Sequence, residues 1–600
     1  MAQHPLRHPA EAIEIRYAAS QPVVSYVLRV DSADLSGYDV TVRIRNAPDT
    51  FRLAMVTHPE YDSRFWRYLE NMRIEAPGAG ASVSRADSAL WRVTAPGGSS
   101  TIRYRLHLPA QQTPFRSSWV PFLAPTGGLI GGPHSFMYIV GATLAPAHVT
   151  LDLPTGWQIA TGLEATADPH TFFAPSVGVL VDCPILVGRL RDWRFTVDGV
   201  PHRVVYWPRP DAQSFDSVAL VAGLQQLVGQ ALALFGRLPY RDYTFLVQDG
   251  ALGSLEHANS VTLGAPSDRL ARDLTGLFAE TAHEFFHTWN LVRIRPVGYD
   301  VDVDYRPPPR SRGLWWSEGV TMLYADLFTR RAGLPRFDTT RVAHLEGQIA
   351  NYLASSGDAR FSPESVSLVT YGVPPGALGD YSASVHLQGE LIGTMLDLIV
   401  RDATAGRRSL DDVMRAMLER FSGDRGFETA DVERVVARVC GCPVHDFFTR
   451  YVKSAHRIDF DRYLAVIGLR TEVAWRSTFG RDSAAVPDLR IFAWLPPGRR
   501  SLSLIVTDPA GVWGKAGLHT GDPLAAINGV SPSTTAELRT LVSHLRVGDT
   551  VRVVVTRPTG RFRATLILSQ LVEPNVRILE IPGATARQRE MRDRWASGSP

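Results

Sequence analysis

The chain of 600 residues is 45% hydrophobic and 20% charged, the balance of an ordinary globular protein. This length exceeds one hydrophobic core, so we expect about three or four domains. The net charge of +3 is small for this size and excludes an extended nucleic-acid-binding surface. No apolar stretch long enough to cross a membrane and no signal peptide are apparent. We therefore expect a soluble cytoplasmic protein without nucleic-acid or membrane partners, a periplasmic location being less favoured.

The chain has three cysteines, Cys183, Cys440 and Cys442. An odd number without regular spacing argues against a disulfide framework. The Cys-x-Cys pair has no second pair nearby, which argues against a zinc knuckle. We expect buried or incidental thiols.

The N-terminal third alternates apolar and polar residues in short runs separated by Gly and Pro. Clear examples are residues 23–30, 38–44 and 101–106. A period of two is that of half-buried strands. We therefore predict an N-terminal antiparallel β-rich domain over residues 12–208.

Helical periodicity dominates from residue 209 onwards. A first helix, 217–235, is followed by a strand at 243–247. Further helices are predicted at 268–291, 314–331, 342–354, 384–402, 410–421, 431–439 and 443–452. A second, mostly helical domain over 209–475 follows from this pattern.

Short strands return around one helix, 535–545, and predict a third domain over 485–570. The tail, 571–600, is polar and rich in Arg, and we expect its end to be frayed. The predicted fold class is therefore multidomain α+β.

The predicted helix 268–291 contains a metal-ligand pattern, because residues 283–287 read His-Glu-Phe-Phe-His. Residues four apart share one helix face, so His283 and His287 can bind one Zn²⁺. Glu284 stands beside them, where it can take a proton from the metal's water. The alternative is a helix with two satisfied histidines beside a surface Glu.

A catalytic zinc needs a third protein ligand and an open position. Glu318 is the candidate, because it begins the next strong helix within Trp-Trp-Ser-Glu-Gly. A carboxylate in that first turn can swing towards the preceding helix. A Glu at a helix start otherwise commonly compensates the helix dipole at the surface.

Residues 253–263 resemble a turn that enters an edge strand just before this helix. An edge strand can pair with an extended peptide through its backbone. Glu256 on this strand could then bind the positive N-terminus of a substrate. An exposed loop acid is the alternative.

Three strings together resemble the M61 glycyl aminopeptidase family: Gly-Ser-Leu-Glu-His (253–257), His-Glu-Phe-Phe-His-Thr-Trp-Asn (283–290) and Trp-Trp-Ser-Glu-Gly (315–319). The resemblance covers most of the chain. It implies a thermolysin-like catalytic domain behind a β domain, and removal of N-terminal residues such as Gly or Ala. It also implies that His283, His287 and Glu318 hold one zinc ion. Glu284 would be the general base and acid, and Glu256 would fix the substrate's amine.

The chain departs from this family at two places. Ser254 stands where relatives usually have a second Gly, so the edge loop is expected to be stiffer. His386 stands where relatives carry a Tyr, the residue that should donate a hydrogen bond to the oxyanion. Tyr381, five residues earlier, is a rival donor, and a simple helix-surface His is the alternative for His386.

Residues 514–530 resemble the core of a PDZ domain, and the helix at 535–545 and the strand at 551–556 fit that resemblance. Such domains bind extended chains beside that helix. The aligned carboxylate loop, 489–492, has no Gly, which puts capture of C-termini in doubt. The PDZ-like domain would then pack on the catalytic domain or hold an internal peptide segment.

The pattern therefore favours a zinc-dependent aminopeptidase acting on peptides. A zinc endopeptidase, with the PDZ-like domain presenting extended chains, is the first alternative. A weakly active peptide-binding scaffold, in which the missing Tyr marks decay, is the second. Two His and one Glu favour zinc over other divalent metals.

Overall fold

The computed structural model describes residues 21–57, 64–75, 78–109, 115–299, 310–373, 377–378, 381–423, 425–496 and 499–599. The chain forms two compact units. The first comprises Met1–Pro309, Tyr324–Phe337 and Met417–Phe427, and the second Arg310–Leu323, Asp338–Ala416 and Glu428–Pro600. One helix, Gly319–Arg331, begins in the second unit and ends in the first.

The first unit opens with a β region, as the period-two pattern predicts. Its strands are β1 Val23–Arg29, β2 Gly37–Arg45, β3 Thr50–Ala54, β4 Leu69–Ile74, β5 Ser82–Arg85, β6 Leu90–Thr94, β7 Ser100–His107, β8 Arg116–Ser117, β9 Phe122–Ala124, β10 Gly127–Ile130, β11 Tyr138–Ile139, β12 Ala147–Asp152, β13 Gln158–Thr161, β14 Glu164–Ala165, β15 Thr171–Ala174 and β16 Ile185–Gly188. Short helices α1 (Gly132–Ser135) and α2 (Val177–Asp182) and a 3-10 turn (Phe65–Tyr68) lie among them.

All of these strands except β8 form three sheets. A seven-stranded sheet has the order β14-β15-β12-β1-β2-β7-β4, and two four-stranded sheets have the orders β11-β3-β6-β5 and β13-β16-β10-β9. Alternate residues such as Tyr38, Val40 and Val42 are fully buried in a common core. Strand pairing and burial confirm a β-sandwich-like N-terminal region, but the prediction of an antiparallel domain is wrong for β1 and β12, which pair in parallel.

A five-stranded mixed sheet follows, in the order β17-β18-β19-β22-β21. Its strands are β17 Arg191–Val197, β18 Val200–Trp207, β19 Tyr243–Gln248, β21 Ser254–Glu256 and β22 Ser260–Gly264, while β20 (Ala251–Leu252) pairs with β8. Strands β18, β19 and β22 are parallel, and β21 is antiparallel to β22. The last strand in the order is β21, so Glu256 lies on an edge strand.

Helix α3 (Ser217–Phe235) has the predicted bounds, because Asp216 caps its start and Gly236 ends it with a φ of 76°. By length and composition alone it could cross a membrane, so our expectation of no such stretch is wrong. A buried stripe along α3 includes Leu220, Leu224 and Leu227. A buried core helix passes the same length and composition test.

The predicted helix 268–291 is two helices, α4 (Ser267–Leu270) and α5 (Thr275–Phe286). Between them, Asp273 accepts a hydrogen bond from the N–H of Thr275, the first residue of α5. Helix α5 ends at Phe286, so His287 is its C-cap residue.

The remaining helices are α6 Leu314–Ser317, α7 Gly319–Arg331, α8 Arg341–Leu353, α9 Pro363–Val369, α10 Val385–Ala403, α11 Leu410–Phe421, α12 Thr429–Cys440, α13 His445–Tyr451 and α14 Phe460–Leu464, with 3-10 turns at Thr370–Gly372, Tyr381–Ala383 and Ala465–Ile467. Helix α10 is buried along most of its length. Its Gly389 lies against Gly319: a Cβ at Gly319 would be 2.2 Å from the Gly389 Cα. Glycine at both positions allows this approach.

A two-stranded ribbon, β23 (Leu469–Ser477) with β29 (Val572–Glu580), brackets the C-terminal sheet region. Between the two strands lie β24 Ile491–Trp494, β25 Ser503–Val506, α15 Val512–Lys515, β26 Leu524–Ile527, α16 Thr535–Ser543, β27 Thr550–Arg557 and β28 Gly560–Ile567. We call residues 478–571 the C-terminal module. It has its own core, which includes Trp513, Val553 and Leu566.

Residues 572–599 of the C-terminal tail contain a strand and a helix, where the sequence suggested only a polar tail. Strand β29 buries Pro574, Val576 and Ile578 at alternate positions, a period-two pattern within a polar segment. Helix α17 (Ala586–Ala596) starts with a capping box at Thr585 and buries Trp595 completely.

The expectation of free thiols is wrong for two of the three cysteines. Cys440 and Cys442 form a disulfide, with Cα atoms 5.2 Å apart. Gly441 ends α12 with a φ of 64°, and this left-handed turn brings the two side chains together. Cys183 is a free, buried thiol.

Candidate metal and active site

The two histidines of α5 converge on one point. Their Nε2 atoms lie 3.0 Å apart, as the i, i+4 spacing predicts. His287 is buried, and its Nδ1 lies 3.1 Å from the backbone oxygen of Asn290. When Nδ1–H donates to this carbonyl, Nε2 keeps a lone pair free for a metal.

Aromatic packing holds α5 in place from two sides. Phe285, beside the histidines in sequence, makes an edge contact with Tyr243 of β19 at 5.0 Å between ring centroids. Phe286 stacks on Tyr324 of α7 at 4.4 Å and contacts Phe328 at 5.4 Å. These contacts join the histidine helix to the sheet and to the later part of α7.

Glu318 directly precedes α7 and is the C-cap residue of α6. Ligand atoms of His283, His287 and Glu318 all lie within 4.8 Å of one another. Two imidazoles and one carboxylate are a donor set that zinc accepts, with a further position open for water or substrate. The residues present therefore fit the metal that the sequence predicts.

A hydrogen bond orients Glu284, which is buried. The Ser254 hydroxyl on β21 donates to its Oε1 over 2.9 Å. The sequence pattern marked Ser254 only as a departure from Gly, and missed this contact. The one sequence signal of this contact was a hydroxyl at a position where the family pattern has no side chain.

Glu256 lies two residues beyond Ser254 on β21, so both side chains are on the same face of the strand. Because Ser254 contacts Glu284, this face is the one directed at the histidine helix. Two strand residues span about 6.8 Å. A carboxylate on this face of β21 can bind a charged group on a molecule that Glu284 also contacts.

The turn after Glu256 is anchored by Asp182. This carboxylate accepts a hydrogen bond from the Ala258 N–H over 3.0 Å and lies 3.1 Å from His257 Nδ1. His257 is buried, and Asn259 donates to the Gly162 carbonyl over 3.0 Å. These contacts hold the edge strand and its Glu256 in position.

The charges of Glu284 and Glu256 both act on Tyr243. Burial raises the pKa of the Tyr243 hydroxyl, a hydrogen bond with Thr288 lowers it, and the two carboxylates raise it further. Tyr243 donates to the Ser260 carbonyl over 3.1 Å. The hydroxyl therefore stays protonated beside the candidate site.

His386, in the first turn of α10, lies against Glu318. Its Nε2 is 3.3 Å from the Glu318 Oε2, and 40% of the His386 side chain is exposed. Tyr381 lies on the 3-10 turn before α10, and desolvation, followed by the charge of Glu390, raises the pKa of its hydroxyl. Of the two predicted oxyanion donors, His386 therefore contacts a predicted metal ligand directly.

Glu390 is buried on α10 and belongs to a chain of side chains. His344 lies between two carboxylates, with Nε2 2.6 Å from Glu390 and Nδ1 3.0 Å from Asp338. This chain supports α10 close to the turn that carries Tyr381.

Two family models match the chain. Residues 25–189 match the peptidase M61 N-terminal domain. Residues 277–392, which contain α5 and Glu318, match the M61 glycyl aminopeptidase model. These matches support a peptidase of the aminopeptidase type.

One solved structure shares the fold, and a second is more distant. An aminopeptidase N family protein of Idiomarina loihiensis superposes with a TM-score of 0.74 at 19% identity, over 95% of this chain and 99% of that one. The M1 zinc metallopeptidase of Deinococcus radiodurans, as a mutant bound to a Tyr-Ser-Ala substrate, has a TM-score of 0.46 at 17% identity, over 73% of this chain and 94% of that one. No curated protein sequence matches the chain.

Proposed function

We propose that the protein is a zinc-dependent aminopeptidase that removes the N-terminal residue of peptides, with a preference for small residues. The approach of His283, His287 and Glu318 to within 4.8 Å carries this proposal. The small-residue preference rests on the matched glycyl aminopeptidase model. A zinc ion, when bound, polarises the scissile carbonyl and lowers the pKa of water to about 7.

Glu284 moves the proton in this scheme. The Ser254 hydroxyl already occupies Oε1, so Oε2 is the atom that accepts a proton from the attacking water. Glu284 then returns this proton to the leaving amine. The bond from Ser254 keeps the carboxylate in one rotamer during both transfers.

Glu256 sets the register of cleavage. The substrate's ammonium group pairs with this carboxylate on the site-facing side of β21, and its backbone adds to the same edge strand. A charged anchor close to Glu284 leaves room for one residue before the scissile bond. His386, with Tyr381 as the rival, steadies the oxyanion, a role often worth about 3 kcal/mol.

A substrate panel tests the proposal. The purified protein with added zinc should release fluorophore from Gly and Ala derivatives with a free amine, and leave their N-acetylated counterparts intact. Equal cleavage of acetylated substrates would instead indicate an endopeptidase. Full metal loading without turnover on any peptide would indicate a binding scaffold.

Replacing Glu284 by Gln tests its role directly. Loss of the proton acceptor should lower kcat by about 10²- to 10⁴-fold, with zinc content by elemental analysis unchanged. Glu419→Gln, on an exposed position of α11, is the matched control and should keep parental kcat. Substantial turnover by Glu284→Gln would contradict the assignment.

A further inference from the structure

The C-terminal module has a three-stranded sheet with two unlike faces, in the order β26-β27-β28. Alternate residues such as Val551, Val553 and Leu566 are buried in the core of the module. The opposite face is exposed and carries three arginines, Arg552 on β27 and Arg561 and Arg563 on β28. The register pairs Arg552 with Thr565 and Arg563 with Val554, so the three arginines share this face.

This outer face is concave. A cavity of about 340 Å³ is lined by the three arginines, by the hydroxyl residues Ser531 and Thr565, and by apolar residues that include Ala526 and Val554. The rim is therefore cationic, and the floor accepts small apolar side chains.

The three guanidinium groups have no carboxylate partner among the described residues. Other arginines of the module are ion-paired: Arg490 lies 2.7 Å from Asp488, and Arg557 lies 2.6 Å from Asp522. Residues 485–570 contain ten Lys and Arg against five Asp and Glu, an excess larger than that of the whole chain. Neighbouring like charges on one sheet face repel one another, and a bound anion would offset that cost.

Strand β28 is the last strand in the order, so it has a free edge within the described part of the chain. The Leu568 N–H donates to the Asp549 carbonyl over 2.9 Å. Since the direction of these groups alternates in an antiparallel pair, the N–H and C=O of Arg561, Arg563 and Thr565 point away from β27. The edge thus offers backbone groups at the same residues whose side chains line the cavity.

We propose that the C-terminal module binds an extended acidic segment of another polypeptide, which adds as a strand to β28 and places alternate Asp or Glu side chains at Arg561, Arg563 and Arg552. Alternate residues of a strand are about 6.8 Å apart, so carboxylates two residues apart match Arg561 and Arg563. The charge selects acidic partners, and the same charge discourages pairing between copies of this chain. This site does not depend on the proposed peptidase activity.

Fluorescence anisotropy with the full-length chain tests the proposal. The probe is a labelled, N-acetylated octapeptide of alternating Asp and Val, added to a Glu284→Gln background so that it is not consumed. The double variant Arg561→Glu/Arg563→Glu should weaken binding by about tenfold or more. Arg499→Glu/Arg500→Glu changes the net charge equally at exposed positions of the module and should bind like the parent.

Three further probes separate the parts of the proposal. An octapeptide of alternating Asn and Val should bind at least about tenfold more weakly, since it lacks the carboxylates. N-methylation of the amides that face β28 should also weaken binding, because strand addition needs those donors. An equal loss of affinity in the Arg499/Arg500 variant, or no effect of N-methylation on affinity, would overturn the proposal.

Stronger competition by an oligo-dT of equal charge would also overturn the proposal, because it would indicate a nucleic acid as the ligand. If the Glu variant does not fold, Arg561→Ala/Arg563→Ala provides the same comparison.

Discussion

At the scale of single residues, the candidate site depends on short polar contacts that the amino-acid pattern does not display. The pair His283 and His287 follows from helix periodicity, and the structure brings their Nε2 atoms to 3.0 Å. The bond from Ser254 to Glu284 joins residues 30 apart in sequence. It depends on how far β21 extends beside α5, which local periodicity does not encode.

The Ser254 contact makes a kinetic prediction. Ser254→Ala should lower kcat by about tenfold, because a hydrogen bond to a charged group contributes about 1.5 to 3 kcal/mol and only part of it is needed in the transition state. Zinc content and the KM for Gly substrates should change little. Ser543→Ala, an exposed serine on α16, is the control. Parental kcat in Ser254→Ala would show that the contact does not orient Glu284 during turnover.

A buried histidine outside the site makes stability depend on pH. His202 of β18 is fully buried, stacks on Phe195 at 4.8 Å and lies 3.0 Å from the Tyr240 hydroxyl. Burial lowers the pKa of His202 to about 4, whereas its Val200 hydrogen bond acts in the opposite direction. Between the unfolded pKa of about 6.5 and this value, only the unfolded chain binds the proton. The free energy of unfolding therefore falls as pH falls through this window.

Urea unfolding followed by Trp fluorescence at pH 7 and pH 4.5 measures this effect. Between pH 7 and pH 4.5, the free energy of unfolding should fall by about 2 to 3 kcal/mol more in the parent than in His202→Gln. His170→Gln replaces a histidine on an exposed turn and should follow the parent. Equal pH dependence in the parent and His202→Gln would contradict the assignment.

At the scale of secondary-structure elements, strong end signals set the bounds that were predicted correctly. Asp216 and Gly236 fix α3 at 217–235, and α11 also has its predicted bounds. The predicted helix 268–291 is wrong in its middle and at its end, because α4 ends at Leu270, α5 begins at Thr275 and His287 is the C-cap residue of α5. An apolar pattern that continues through such a break gives no sign of it.

The approach of α6 and α7 to α10 places a steric demand on Gly389. A Cβ there would lie 1.8 Å from the Trp315 carbonyl oxygen, so Gly389→Ala must push the helices apart. The expected cost is about 3 kcal/mol of unfolding free energy. Activity should fall as well, because Glu318 and His386 flank this crossing.

Gly347→Ala on α8 is the matched control for Gly389→Ala. No atom lies within 4 Å of a Cβ at Gly347, so alanine should stabilise the helix by about 0.5 to 1 kcal/mol. Chemical denaturation of both variants measures the difference. An unchanged free energy of unfolding in Gly389→Ala would mean that the helices separate without cost.

At the scale of the whole molecule, the α+β class was predictable because the β-rich start, the helical middle and the C-terminal sheet region each have their own periodicity. Within the candidate site, His283, His287 and Glu318 belong to two motifs that the sequence displays, whereas the bond from Ser254 to Glu284 does not follow from either motif. The return of the chain from the C-terminal module to the helical region was missed. It depends on the nine-residue pairing of β23 with β29, strands about 100 residues apart.

This return makes the end of the chain a structural part of the second unit. The Arg341 guanidinium donates to the Trp595 carbonyl over 2.8 Å, and its cation lies 4.4 Å from the Trp595 ring. Trp595→Ala should therefore lower the free energy of unfolding by about 3 to 5 kcal/mol. Trp475→Ala, where the side chain is 54% exposed on the ribbon, should change it by less than about 0.5 kcal/mol. Similar losses in the two variants would contradict this assignment.

The ribbon also determines how the C-terminal module could have been acquired. Ser477 pairs with Val572, so the chain enters and leaves the module at neighbouring points. The module is thus an insertion into the loop of a β-hairpin, and a tight turn joining the two strands would leave the hairpin intact. One recombination step could therefore add, exchange or delete the whole C-terminal module without shifting the register of either strand.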